Sequence, residues 1–179
     1  MTDLEDLYRE IILDHYRSPR NRGELESPPA QRVEGFNPLC GDEIVLTLLV
    51  GDGRVEDIKF AGSGCSISQS SASLMSSAVK GKSLAEVREL IRTFKSMMSI
   101  HEASLDQDGP GASEEGSDDG ESGESGESGG SEEAGNGLAD VRRLGELAAL
   151  QGVVKFPVRI KCATLSWNAL AQALDENGA

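Results

Sequence analysis

Apolar residues at the start of the chain recur at helical spacing, with Leu4, Leu7, Tyr8, Ile11, Ile12 and His15 on one face. Thr2 and Glu5 have the spacing of a capping box and Ser18-Pro19 ends the run, so an amphipathic helix is predicted. The period then changes. "QRVEGFN", "EIVLTLLVGD" and "GRVEDIKFAG" read as strands, and "VGDGRV" carries the turn that makes the last two a hairpin. A small antiparallel meander follows from these three segments.

Helical spacing returns in "GSGCSISQSSASLMSSAVKG", where Ile67, Leu74, Met75, Ala78 and Val79 share a face although seven serines lie between Ser66 and Ser77. Serine is a mediocre helix former, so this density predicts a closely packed or polar surface near the start of the helix. "SLAEVRELIRTFKSMMSI" is a further helix opened by the capping box Ser83 and Glu86. Residues 106–140 have almost nothing to bury and include the near-repeat "ESGESGESGG"; they are expected to be a disordered insertion. Beyond them "ADVRRLGELAAL" predicts a short helix, "VVKFPVRIK" an extended stretch, and "CATLSWNALAQAL" a closing helix that begins at Cys162. The elements before the insertion lack partners enough to be complete, so 1–179 is expected to form one domain with 106–140 as an insertion within it.

Composition refines this picture in two places. The 179 residues carry a formal charge of −14. Twelve acidic residues and no Lys or Arg fall in 106–140, which leaves about −2 for the remainder. That remainder has no basic stripe, which argues against nucleic acid or an anionic membrane as partner. No apolar run is long enough to span a bilayer, and "MTDLEDLYRE" is acidic where a signal peptide is basic, so a cytoplasmic protein is expected. Three cysteines without an export signal fit a reducing compartment, where thiols serve as ligands or nucleophiles more often than as disulfides.

Those cysteines are the candidate chemistry. Cys40 sits in the break "FNPLCGDEIV", two residues before Asp42 and at the mouth of an apolar strand. Cys65 follows "AGSG" at a helix start, and Cys162 follows Lys161 at another. Helix N-termini and neighbouring cations favour the thiolate, so all three are expected in reactive settings. Taken singly, a cysteine is most often a small buried hydrophobe. Brought together with Asp42 they would offer three sulfurs and one oxygen, a tetrahedral set for zinc. Four anionic ligands on a divalent ion leave an excess charge of about −2, which Arg159 and Lys161 are placed to offset. A cysteine hydrolase would need a histidine base, and only His15 and His101 exist. His15 lies on the apolar helix face as a packing residue and His101 ends a helix. Trp167 and Tyr8 read as core.

"LYREIILDHYRSPRNRG", "NPLCGDEI", "GSGCSISQSSASLM", "VKGKSL" and "FPVRIKCATLSWNAL" together resemble the SufU-type branch of the IscU/NifU-like iron–sulfur cluster assembly proteins, over nearly the whole chain except the acidic insertion. The resemblance implies an α+β fold, a three-stranded antiparallel sheet packed by helices. It implies that Cys40, Asp42, Cys65 and Cys162 are the metal and cluster-assembly positions, with Cys40 the sulfur acceptor. It further implies a resting Zn2+ site, a transient iron–sulfur cluster such as [2Fe-2S], a pyridoxal-phosphate cysteine desulfurase of the SufS type as partner, and Suf assembly proteins or apo-protein acceptors downstream. Lys161 stands where the IscU branch has a histidine, as in SufU-type proteins, and "VVKFPVRIKC" replaces that branch's Leu-Pro-Pro-Val-Lys chaperone motif. The alternative is a structural zinc module whose role is partner binding without sulfur transfer.

Overall fold

The computed structural model describes residues 3–99 and 144–177. The acidic insertion, the capping residue Thr2 and His101 lie outside the described residues. In chain order the elements are α1 (Asp3–Arg17), β1 (Gln31–Asn37), β2 (Asp42–Gly51), β3 (Arg54–Ser63), α2 (Ser66–Val79), α3 (Leu84–Ser99), a 3-10 helix (Gly145–Lys155) and α4 (Pro157–Glu176). The three strands form one antiparallel sheet in the order β1-β2-β3. This is the α+β architecture that the alternating segments and the resemblance implied.

Strand register decides where chemistry can gather. Asn37 pairs with Asp42 across the first hairpin, and Glu43 pairs with Ser63 across the second. The end of β1, the start of β2 and the end of β3 therefore meet at one end of the sheet. The Cys40 turn and the β3–α2 connection with Cys65 both lie there.

Sheet residues Leu46, Leu48, Ile58 and Phe60 share one buried cluster with Met75 of α2, Phe94 and Met98 of α3, Leu147 and Leu150 of the 3-10 helix, and Trp167, Leu170 and Leu174 of α4. Elements from both sides of residues 100–143 thus build a single core. Trp167 stacks on Phe94 with ring centroids 4.2 Å apart and planes 13° from parallel, a geometry that adds to the large area each ring removes from water.

The serines of α2 act as short polar spacers. Ser71 donates to the carbonyl of Ala163 (2.6 Å) and accepts from Trp167 Nε1 (3.2 Å), so α2 and α4 approach closely with their polar atoms satisfied. Ser76 Oγ reaches Asn21 Nδ2 (3.1 Å) and so ties down the chain leaving α1. The capping box of α3 forms as its spacing requires: Ser83 N donates to Glu86 Oε2 (2.9 Å) and Glu86 N to Ser83 Oγ (3.3 Å).

Two expectations need correction. "VVKFPVRIK" is not extended: Val153–Lys155 end the 3-10 helix, and α4 begins at Pro157. Proline at the first helical position sacrifices no hydrogen bond and has its φ already set, so here it starts a helix. Tyr8 is half-buried at a groove and Leu4 and Leu7 are exposed, because α1 packs on α2 and the 3-10 helix mainly through its later turns.

His15 is buried as a packing residue. Its Nδ1 lies 2.7 Å from Ser73 Oγ and its Nε2 3.4 Å from Glu146 Oε2, while Ser73 Oγ accepts the Arg20 N–H (2.8 Å). A neutral ring protonated on Nε2 satisfies every one of these partners. Burial and the Arg20 guanidinium hold the imidazole pKa below its ordinary value, opposed in part by Glu146 and Asp14. The unfolded chain then binds more protons near an ordinary pKa of about 6.5, so stability is fully present above that pH and is lost as pH falls below it. The urea midpoint is expected to drop between about pH 7 and 5 in the native chain and to stay nearly level over that window in His15→Gln; equal slopes would show that His15 is not buried neutral.

Candidate metal centre

The turn from Pro38 to Gly41 presents Cys40. Gly41 has φ +68°, a left-handed conformation that glycine adopts without strain. Its N–H donates to the Asn37 carbonyl (2.9 Å), which closes the turn. Asp42 then opens β2 with no exposed surface. Its Oδ1 accepts the backbone N–H of Cys65 (2.8 Å), and its Oδ2 lies 3.9 Å from Cys65 Sγ and 3.5 Å from Asn37 Nδ2. Cys65 is the N-cap of α2, so the carboxylate faces the positive end of that helix. Glycine is required beside it: a Cβ on Gly64 would stand 2.7 Å from Asp42 Oδ1 and 2.4 Å from Ser68 Oγ.

Cys162 arrives from the other end of the chain. Its Sγ lies 3.0 Å from Cys40 Sγ and 3.6 Å from Asn37 Nδ2. Ligand atoms of Cys40, Asp42 and Cys162 all fall within 4.8 Å of one another, and Cys65 adjoins this group through Asp42. All three thiols are free; Cys40 and Cys65 are half-buried and Cys162 is buried.

The setting of Cys162 differs from expectation. Because α4 begins at Pro157, this residue sits in the second helical turn and not at the helix start. Burial raises its thiol pKa, and the neighbouring Cys40, Asp42 and Cys65 side chains raise it further. The bare protein therefore holds this group as a thiol, and a reactive thiolate requires a compensating positive charge. Arg159, one turn earlier on α4, supplies part of that charge. The Cys65, Cys162 and Cys40 sulfurs raise its pKa, Cys65 most strongly. Lys161 is exposed and forms no side-chain hydrogen bond or ion pair among the described residues.

Three sulfurs and one oxygen form a donor set suited in number and softness to tetrahedral zinc. A fully buried carboxylate beside three thiols, with one exposed guanidinium for countercharge, fits a site completed by a cation. A groove of about 660 Å³ lies between α1 and the 3-10 helix, lined by Tyr8, Ile12, Ile67, Val153 and Phe156 among others; none of the four donors lines it, and Ser66 and Arg159 are its residues nearest to them in sequence. Phe36, Leu39, Phe156 and Val158 carry exposed apolar side chains next to the cysteine positions. Asn37 was missed in the sequence, where "FNPLC" reads as a turn; its side chain bridges two of the candidate ligands only once the register sets it opposite Asp42.

This fold belongs to a known class. The NifU-like N terminal domain family matches residues 7–113, and the chain is a member of that family. Among its relatives, the zinc-dependent sulfurtransferase SufU of Bacillus subtilis (strain 168) is 40% identical over 178 residues, covering 98% of this chain and 96% of the relative. The iron-sulfur cluster assembly scaffold protein IscU of Streptococcus pyogenes serotype M1 is 36% identical over 174 residues, covering 97% and 86%. The crystal structure of FiSufU from the thermophile Fervidobacterium islandicum AW-1 superposes with a TM-score of 0.67 at 27% identity, covering 96% of this chain and 98% of that one. Among the described residues no helix is long and apolar enough to cross a membrane.

The tight seat of Asp42 gives a direct test. Gly64→Ala is expected to lower zinc affinity about tenfold or more in chelator competition, the size typical of disturbing a ligand's support, with the far-UV spectrum retained. Unchanged affinity would show that Asp42 is not held against this connection.

Proposed function

We propose that this protein is an iron–sulfur cluster assembly protein of the SufU type, which accepts persulfide sulfur on Cys40 from a pyridoxal-phosphate cysteine desulfurase. Cys40, Asp42, Cys65 and Cys162 would hold zinc in the resting state. The observation that carries this reading is the convergence of three thiols and a buried carboxylate, from segments far apart in sequence, at one end of the sheet. The likeness to a zinc-dependent sulfurtransferase over 98% of the chain supports it.

Zinc, when bound, supplies the positive charge that keeps these thiols deprotonated at neutral pH. Asp42 and Cys162 are enclosed, and of the two half-buried thiols Cys65 caps α2 while Cys40 lies in a turn whose other residues, Pro38, Leu39 and Gly41, are exposed, so Cys40 is the better placed to act as nucleophile. Its thiolate attacks the outer sulfur of the donor's persulfide. A new S–S bond forms on Cys40, the donor's S–S bond breaks, and the donor cysteine leaves as thiolate. Arg159 beside the three sulfurs steadies their negative charge during this exchange. The exposed Phe36, Leu39, Phe156 and Val158 offer the desulfurase an apolar surface around the acceptor.

The IscU-named relatives favour a second reading on the same residues, in which iron is delivered as cargo and a nascent cluster such as [2Fe-2S] is built on the three cysteines. A purely structural zinc module fits less well. Four protein donors would close the site in either case; what favours a ligand that can exchange is the setting of Cys40, in a turn next to Leu39, which is 61% exposed.

Incubating the zinc-loaded chain with a SufS-type desulfurase and cysteine, then measuring mass after alkylation, is expected to show one added sulfur on Cys40. Cys40→Ser should take up none while keeping the far-UV spectrum of the native chain. Undiminished uptake by that variant would place the acceptor on another cysteine, and no uptake by the native chain would refute sulfur transfer.

A further inference from the structure

We infer that Asn37 is the positioning residue of this centre, the one side chain among the described residues that bonds both Asp42 and Cys162 and registers the Cys40 turn against that pair. The inference rests on the proposed reading of Cys40 as the sulfur acceptor, and adds that Cys40 moves while Asp42 and Cys162 stay.

Asn37 closes β1 and is 5% exposed. It directs its side-chain Nδ2 at both Asp42 Oδ2 (3.5 Å) and Cys162 Sγ (3.6 Å). Its Oδ1 accepts the Leu39 N–H (3.2 Å), and its backbone carbonyl accepts the Gly41 N–H (2.9 Å). The Leu39 N–H can meet only the amide oxygen, so the NH2 group must face the ligand pair. Each of its two hydrogens then has one acceptor. Neither of its nearest isosteres reproduces this arrangement. Aspartate keeps an acceptor for Leu39 but turns an oxygen toward a buried carboxylate; leucine keeps the shape and loses every side-chain bond.

Asn37 therefore joins the fixed and moving parts of the site. When Cys40 swings out to meet a donor, Asp42 and Cys162 remain held on one amide. The bonds to Leu39 and Gly41, on either side of Cys40, bring its sulfur back to within 3.0 Å of Cys162 Sγ.

Two measurements separate this role from general stabilisation. The first needs no metal: in a Cys65→Ala background, the equilibrium constant for the Cys40–Cys162 disulfide is measured in a glutathione redox buffer, glutathione disulfide taking the two electrons. Asn37→Leu is expected to lower this constant about tenfold or more, because the turn loses its anchor, while Asn37→Asp, which keeps the Leu39 bond, stays within about threefold. The second is zinc affinity by chelator competition with Cys65 present. Both variants should bind about ten- to a hundredfold more weakly than the native chain, the range typical for residues that orient metal ligands. Thr47→Val removes another fully buried polar group of the sheet and should move neither quantity. A disulfide constant in Asn37→Leu equal to that of Thr47→Val would overturn the proposal. Should Asn37→Leu fail to fold, undiminished zinc affinity in Asn37→Asp would overturn it. If the native chain binds no zinc, the metal reading fails and the disulfide constant still decides the role of Asn37.

Discussion

The arrangement depends on one buried carboxylate. Asp42 has no exposed surface and accepts the backbone N–H of Cys65, so the first residue of β2 is bonded directly to the N-cap of α2. A charge so enclosed is costly unless hydrogen bonds and a counter-charge surround it. Here the helix N-terminus and the Asn37 amide answer part of that requirement, and a bound cation would answer the rest. The local structure is shaped to permit it: Gly64 leaves room for the carboxylate, and Gly41 turns the chain so that Cys40 and Asp42 approach the same space.

Cys162 has to be delivered to that space from beyond residues 100–143, and core packing does this. Ser71 bonds both the Ala163 carbonyl and the Trp167 indole, and Trp167 stacks on Phe94, so the depth and direction of α4 are set a turn or so past the cysteine. The small side chains of α2 let α4 come close enough for its sulfur to reach Cys40. The same burial that places Cys162 raises its pKa. Positioning and reactivity therefore pull in opposite directions, and a cation reconciles them by favouring the thiolate that burial opposes.

Much of this was legible in the residues. β1 spans the predicted "QRVEGFN", the Ser83 and Glu86 capping box forms as spaced, and the turn at Asp52 and Gly53 closes the second hairpin. Alternation and capping are local signals, and local signals survive into the structure. The start of α4 was misread because Phe156-Pro157 looks like a break, and proline opens helices as readily as it ends them. The setting of Cys162 went wrong for the same reason. Asn37 could not be found from spacing, since its role exists only across a strand pair and a helix that arrives 125 residues later. Arg159 lies near the sulfurs, while Lys161, two residues on, is exposed and forms no side-chain hydrogen bond or ion pair among the described residues. A difference of two positions on a helix is a difference of face.

The central claim is that Cys40, Asp42, Cys65 and Cys162 bind one ion together. Zinc K-edge X-ray absorption on the zinc-loaded chain tests it most directly. Three sulfurs at about 2.3 Å and one oxygen at about 2.0 Å are predicted, with the oxygen contribution altered in Asp42→Ala. A shell made mostly of nitrogen and oxygen, or one unaffected by loss of Asp42, would contradict the account.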